Sequence, residues 1–183
     1  MIIADGVDMR EVALGDAAAL AAAFVRNRAH MAPYEPTRLD EFYTERGQRE
    51  RIETTLGDRD AGRTRQSVLL DTATRELIGT ITLQNIVLGP LRSAGVGYWI
   101  DRARTGRGLA SAALAETIRV AREETGLHRL AAGTLLDNLA SQRVLAKAGF
   151  ETYGVAPRYL YISGAWRDHR LFQLLLHDDP PSA

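Results

Sequence analysis

Apolar residues recur along this chain with a period of two in some segments and near 3.6 in others, and that alternation sets the order of its elements. Residues 7–12 read as a short strand, after which Asp16 is placed to cap an alanine-rich helix running to about residue 28. Pro33 and Pro36 interrupt its continuation, so residues 31–37 form a loop, and Thr37 or Asp40 starts a second helix that reaches about residue 56. Residues 66–71 and 77–87 are rich in β-branched residues and leucine, with a hairpin turn over 72–75. A Gly89-Pro90 break precedes a strand over 93–100. From 108 to about 125, Leu109, Ala113, Leu114, Thr117, Ile118 and Ala121 fall at helical spacing and predict one core-facing stripe, ended by Gly126. A strand over 129–136 follows, then a helix over 138–148 ended by Gly149, then a hairpin of 150–163 and 166–176 turning at Ser163-Gly164. The pattern predicts seven strands and four helices in the α/β class, as one domain over 1–177 with a short tail at 178–183.

Composition narrows the chemistry. The 183 residues are 45% hydrophobic and 25% charged, ordinary for a globular chain and sufficient for one substantial core. No apolar run approaches the roughly 20 residues that span a bilayer, and the N-terminus lacks a basic segment followed by an apolar one. The expectation is a cytoplasmic protein. Twenty-three basic residues balance twenty-three acidic ones, so no global field draws it to nucleic acid or to a membrane. The absence of cysteine excludes disulfides, thiolate metal sites and a cysteinyl acyl-enzyme. His30, His128, His169 and His177 are dispersed without metal-ligand spacing, so no metal is expected.

The most informative segment is Thr105-Gly106-Arg107-Gly108-Leu109-Ala110, which joins the strand over 93–100 to the long helix. Two glycines let the backbone turn tightly and present successive N–H groups at the positive end of a helix dipole, which suits a pyrophosphate. The segment is not a P-loop, because no Gly-Lys-Ser/Thr follows. Nor is it a dinucleotide fingerprint: the turn follows the fourth strand rather than the first, and Asp137, the first acid beyond the next strand, lies past the required spacing.

Six motifs in sequence extend this reading: Val96-Gly-Tyr-Trp-Ile-Asp101, Gly106-Arg-Gly-Leu-Ala110, Leu127-His-Arg129, Asn138-Leu-Ala-Ser141, Lys147-Ala-Gly-Phe150 and Trp166-Arg-Asp168. In order and spacing they resemble the GNAT acyltransferases, and among these the RimJ/RimL-type N-acetyltransferases. The likeness runs from about residue 7 to 176, loosely before residue 66. It departs at the start of the pyrophosphate motif, where Thr105 replaces the usual Gln or Arg and Arg104 stands beside it. That leaves open whether Arg104, Arg107 or neither pairs with phosphate.

The resemblance implies a mostly antiparallel mixed sheet whose fourth and fifth strands are parallel and splay apart, with the pantetheine arm of acetyl-CoA in the gap. Backbone groups near Trp99 and Ile100 would bond that arm, and amides from Gly106 through Gly108, Leu109, Ala110 and Ser111 would hold the phosphates. Ser141 matches the residue beside the coenzyme sulfur and would serve the departing thiolate as proton donor or hydrogen-bond partner. Asn138 would cap its helix and bond pantetheine, and Lys147 could reach a coenzyme phosphate. Glu35 is the candidate general base and Tyr98 lies on the strand carrying the thioester. Tyr34, Phe42, Tyr43, Tyr159, Tyr161 and Trp166 could line the acceptor slot, while Asp168 reads as a structural hairpin residue. The implied activity is direct acetyl transfer to a primary amine, foremost a protein or peptide N-terminal α-amine. Neutralising an α-amine at pH 7 costs about 1.4 kcal/mol against about 4.6 for lysine. The alternative acceptors are small-molecule amines such as an antibiotic, an amino-acid derivative or a polyamine. The acids at Glu35, Asp40, Glu41 and Glu45 are mixed with Arg38 and Arg46, so the charge expected at the acceptor is ambiguous. A homodimer is compatible with this reading.

Overall fold

Two antiparallel blocks of strands meet along one short parallel seam in the computed structural model, which describes residues 1–180. The first block is a meander of β1 (Ile2–Ala4), β2 (Val7–Glu11), β3 (Arg65–Asp71), β4 (Leu77–Val87) and β5 (Ser93–Ile100). The second contains β6 (Arg129–Leu135), β8 (Ala165–Leu175) and β7 (Glu151–Ile162), in that spatial order. Four helices cover the sheet: α1 (Ala17–Met31), α2 (Glu45–Asp60), α3 (Leu109–Glu124) and α4 (Leu139–Lys147).

Strand periodicity divides the core. On β3, Val68 and Leu70 pack with Leu20, Phe24 and Ile52 of α1 and α2, while Leu69 between them joins Leu114, Ala121 and Leu145 of α3 and α4. The stripe expected on α3 is observed, with Leu109, Ala113, Leu114, Thr117 and Ala121 buried. The last hairpin turns where expected, because Ser163 and Gly164 both adopt positive φ and Ile162 pairs with Ala165.

Three local expectations are corrected. The sheet has eight strands, not seven: the three-residue β1 is too short to show a period, and the amino terminus anchors it through Asp8 at 2.6 Å and the Met9 carbonyl at 2.9 Å. The second helix begins at Glu45 rather than at Thr37 or Asp40. Residues Asp40–Tyr43 form a separate 3₁₀ turn, and the Thr44 hydroxyl caps α2 by accepting from the Gly47 amide. Asp16 stands at the N-cap of α1 without a side-chain cap bond. Its carboxylate instead takes both Arg10 guanidinium donors, at 2.6 and 2.8 Å, and the Ala13 amide. The expected tail at 178–183 lies partly outside the described residues. No helix among the described residues is long and apolar enough to cross a membrane.

One buried polar node ties these layers together where β5 ends. Asp101, 4% exposed, accepts from Arg26 Nε at 2.7 Å, Asn27 Nδ2 at 2.9 Å and the Ala103 amide at 2.9 Å. Asn27 returns its side-chain oxygen to the Arg102 amide at 2.9 Å, so α1 grips the chain on both sides of that bend. Burial pushes the Asp101 carboxyl upward, but the hydrogen bonds from Asn27, Arg26 and Ala103 outweigh it and hold the pKa below the ordinary value. Asp101→Ala is therefore expected to lower the unfolding free energy by about 2–3 kcal/mol in urea titrations. Because the folded pKa is the lower one, the wild-type advantage is complete above about pH 3.9 and shrinks as pH falls through the folded value. An advantage that grows on acidification would contradict this assignment.

Candidate active site

The seam between the blocks is only three residues long. Ser93, Ala94 and Gly95 of β5 pair with Arg129, Leu130 and Ala131 of β6, after which no further pair forms between them. Each strand meanwhile stays with its antiparallel neighbour, β5 with β4 out to Ile100 and β6 with β8 out to His169 opposite Leu135. From Val96 onward, the β5 backbone groups that face β6 have no strand to bond.

A cavity of about 700 Å³ opens into this gap. Its walls include Tyr98, Trp99 and Ile100 of β5, Gly133 and Thr134 of β6, and Asn138 and Ser141 of α4. At one end lie Arg104, Thr105, Gly106, Gly108, Leu109, Ala110 and Ser111, the glycine turn and first turn of α3. At the other end lie Tyr34, Glu35, Arg38, Phe42 and Arg51, contributed by the loop after α1 and by α2.

The turn has the conformation its glycines predict. Gly106 and Gly108 have φ of 76° and 78°, and a Cβ built on either would meet nothing within 4 Å. Gly108 is the N-cap of α3 and supplies no side-chain cap bond, so the first amides of that helix point into the cavity mouth unclaimed. Two further polar atoms in the walls are buried without partners, the indole Nε1 of Trp99 and Oγ1 of Thr134.

On α4, the Asn138 side chain caps the helix by accepting from the Ser141 amide at 3.1 Å, as expected. Gln142 fixes the helix over the end of β6 by donating to the Leu135 and Leu136 carbonyls and accepting from Arg170. This orientation turns Ser141 toward β5, where its Oγ lies 2.9 Å from the Tyr98 hydroxyl. Burial raises the Tyr98 pKa, and the Ser141 bond offsets only part of that rise. The phenol therefore stays protonated across the physiological range. Glu35, half-buried, also has a raised pKa: burial dominates, while the nearby Arg38 and Arg51 charges pull the other way.

The Acetyltransferase (GNAT) domain family matches residues 7–151. The chain belongs to that family. Probable N-acetyltransferase YjcK of Bacillus subtilis (strain 168) is 35% identical over 84% of this chain and 84% of its own length. The structure of ribosomal-protein-S5-alanine acetyltransferase from Vibrio fischeri superimposes with a TM-score of 0.93 at 34% identity, covering 96% of both chains. Mycobacterium smegmatis RimJ in complex with CoA-disulfide superimposes with a TM-score of 0.87 at 33% identity, over 92% of this chain and 81% of that one.

This chain is thus an acetyl-CoA-dependent N-acetyltransferase, and its cavity suits the coenzyme on independent grounds. The α3 amides and dipole fit a pyrophosphate, the unpaired β5 edge fits an amide-bearing arm, and the buried indole and threonine donors await acceptors. When bound, the coenzyme supplies an activated acetyl thioester. Among the described residues no cluster of metal-ligating side chains occurs.

Two expected coenzyme contacts stand apart from this arrangement. Arg107 and Lys147 do not line the cavity, and Arg104, which does, is held by Asp71 at 2.8 Å. Of the six aromatics expected at the acceptor, Tyr34 and Phe42 line the cavity and Tyr43 a smaller adjoining hollow. Tyr159, Tyr161 and Trp166 do not, and Trp166 packs edge-on against Tyr161. Asp168 has a structural partner, the Arg158 amide at 2.8 Å. Sequence reasoning missed His169, which is buried in the cavity wall with Nδ1 3.1 Å from the Arg167 carbonyl. Because that carbonyl can only accept, Nδ1 carries a proton and a neutral ring keeps its lone pair on Nε2. Only the pairing of His169 opposite Leu135 brings it to the open end of the splay, and no motif marks that pairing.

Gly108→Ala tests the turn. A Cβ at positive φ costs about 1–2 kcal/mol, which favours a shift of the turn that aims the α3 amides. Calorimetry should show coenzyme A affinity falling at least tenfold with only a modest drop in thermal stability. Unchanged affinity would place the phosphates elsewhere.

Proposed function

We propose that this acetyltransferase acts on the free α-amine of a protein or peptide N-terminus. The observation that carries the proposal is the charge of the cavity wall, where Glu35 is the sole acid among the described residues. One half-buried carboxylate suits a mildly basic amine that needs little help to become neutral; it does not suit a polycation, which would want several acids. The name of the Vibrio fischeri protein, 34% identical across 96% of both chains, supports the same acceptor class.

In this reading the residues divide the work. The α3 amides and the β5 edge orient the donor. Glu35, directly or through one water, holds the proton removed from the acceptor amine. Ser141 Oγ delivers a proton to the departing thiolate on the opposite side and takes one from the Tyr98 hydroxyl, which solvent reprotonates as Glu35 releases the amine's proton to solvent, with no covalent acyl-enzyme. Asn138 keeps Ser141 in place by capping α4.

Ser141→Ala should reduce kcat by about a hundredfold or more while leaving coenzyme A affinity nearly intact in calorimetry. Unchanged kcat would remove the proton-delivery role. Glu35→Gln should lower kcat/KM and abolish the acid limb of its pH profile. That limb should lie above the ordinary glutamate range, because the carboxyl must ionise to act and burial has raised its pKa. In a panel of unblocked peptides and small amines, peptides should turn over preferentially; the reverse order would assign the enzyme to small-molecule amines.

A further inference from the structure

The acceptor end of the cavity carries two arginines that make no close ion pair among the described residues, with Glu35 as the one carboxylate near enough to act on both. Arg38 and Arg51 both line it, and neither has a carboxylate oxygen within 4.0 Å among the described residues, although Glu35 shares the same wall. Arg38 Nε is buried and without a hydrogen-bond partner. Arg51 has one neutral acceptor, Gln48 Oε1 at 3.2 Å. Arg51 is exposed, and part of its surface lines the cavity. Burial and the neighbouring Arg38 charge lower its pKa, and the more distant Glu35 carboxylate offsets only part of that. The two guanidiniums flank one ring, with Cζ at 4.9 and 4.5 Å from the centroid of Phe42.

The acids that might have compensated them are engaged on the outer surface. Asp40 pairs with Arg28 at 3.0 Å, Glu41 with Arg46 at 2.9 Å and Glu45 with Arg49 at 3.6 Å. The ambiguity left by the mixed acids and bases of this segment is thereby resolved: the charges facing the acceptor are two guanidiniums and one carboxylate.

We propose that Arg38 and Arg51 form a carboxylate-recognition subsite, so that the preferred acceptor carries an acidic group close to its reacting amine. The proposal rests on the α-amine reading above and deepens it. Phe42 touches Phe24 at 4.7 Å and Phe24 touches Trp99 at 5.1 Å, so the subsite lies two ring contacts from the β5 segment that faces the donor. An extended peptide advances about 3.3–3.6 Å per residue, which places the acidic side chain at the second or third position. A free amino acid would present its α-carboxylate closer to the amine. Recognition would be by charge-assisted hydrogen bonds, with Arg38 and Arg51 as the donors. The same charges disfavour polyamines and lysine-rich termini.

The experiment compares kcat/KM for N-terminal peptides identical except for Glu, Gln or Lys at positions two and three, with free alanine and alaninamide as a separate arm. Glu peptides should exceed their Gln counterparts about tenfold or more, with Lys lowest. A preference for alanine over alaninamide that exceeds the peptide preference would identify the free carboxylate as the source. Arg38→Gln and Arg51→Gln should each shrink the Glu-to-Gln ratio, with the loss in KM rather than kcat. Arg38→Glu should move the preference toward Lys. The wild-type panel needs no variant to fold, and equal kcat/KM across it would overturn the subsite while leaving α-amine acetylation standing. Calorimetry of the same peptides with coenzyme-loaded protein separates the two readings. Acid-dependent binding without turnover would sink the α-amine reading and keep the subsite.

Discussion

The whole site depends on two parallel strands parting after three pairs. Nothing in β5 or β6 alone requires this, because both are regular beyond the point of divergence. The cause is competition between partners: β4 holds β5 through to Ile100 opposite Gly79, and β8 holds β6 through to Leu135. Gly79 is part of that grip. A Cβ there would stand 2.6 Å from the Trp99 carbonyl oxygen, so only glycine lets β4 follow β5 closely to its end. A larger residue would force the end of β5 out of its register with β4. The unpaired strand edges that result would be a liability in solvent, and an arm bearing amide groups satisfies them.

The gap is useful only if the glycine turn sits at its mouth, and that placement is made by polar contacts rather than by the apolar core. Asp101, Asn27 and Arg26 fasten the end of β5 to α1, and Arg104 reaches back to Asp71 at the end of β3. The turn between these anchors and α3 has little freedom left, so the α3 amides are aimed before a ligand arrives. Arg104 thus has a role in the fold sufficient to account for its presence, whatever else it touches.

What the chain discloses about itself divides by range. The α3 stripe, the Asn138 cap, the Ser163-Gly164 turn and the glycine turn are each written within one or two turns of backbone, and all were legible. β1 was too short to carry a period, and the start of α2 was obscured because Asp40 opens a 3₁₀ turn before Thr44 provides the true cap. The contacts that build chemistry are long-range: Tyr98 meets Ser141 43 residues later, and His169 reaches the cavity through pairing with β6. Motif order located Ser141 and Asn138, but no local pattern shows which hydroxyl or which guanidinium will face them.

The formal charge of zero conceals a separation that suits the reaction. The transfer point is lined by neutral donors, the Tyr98 and Ser141 hydroxyls, the Thr134 hydroxyl and the Trp99 indole. A full charge there would need costly desolvation whenever the donor closed the cavity, whereas a hydroxyl pair is neutral at rest. Full charges appear at the proposed acceptor end, which Glu35, Arg38 and Arg51 line. In the proposed reading the carboxylate takes a proton from an amine close by, and the flanking cations disfavour its ammonium form. In that reading the same two guanidiniums that select an acidic acceptor also weaken the hold on its ammonium form, so their contribution falls on binding rather than on the chemical step.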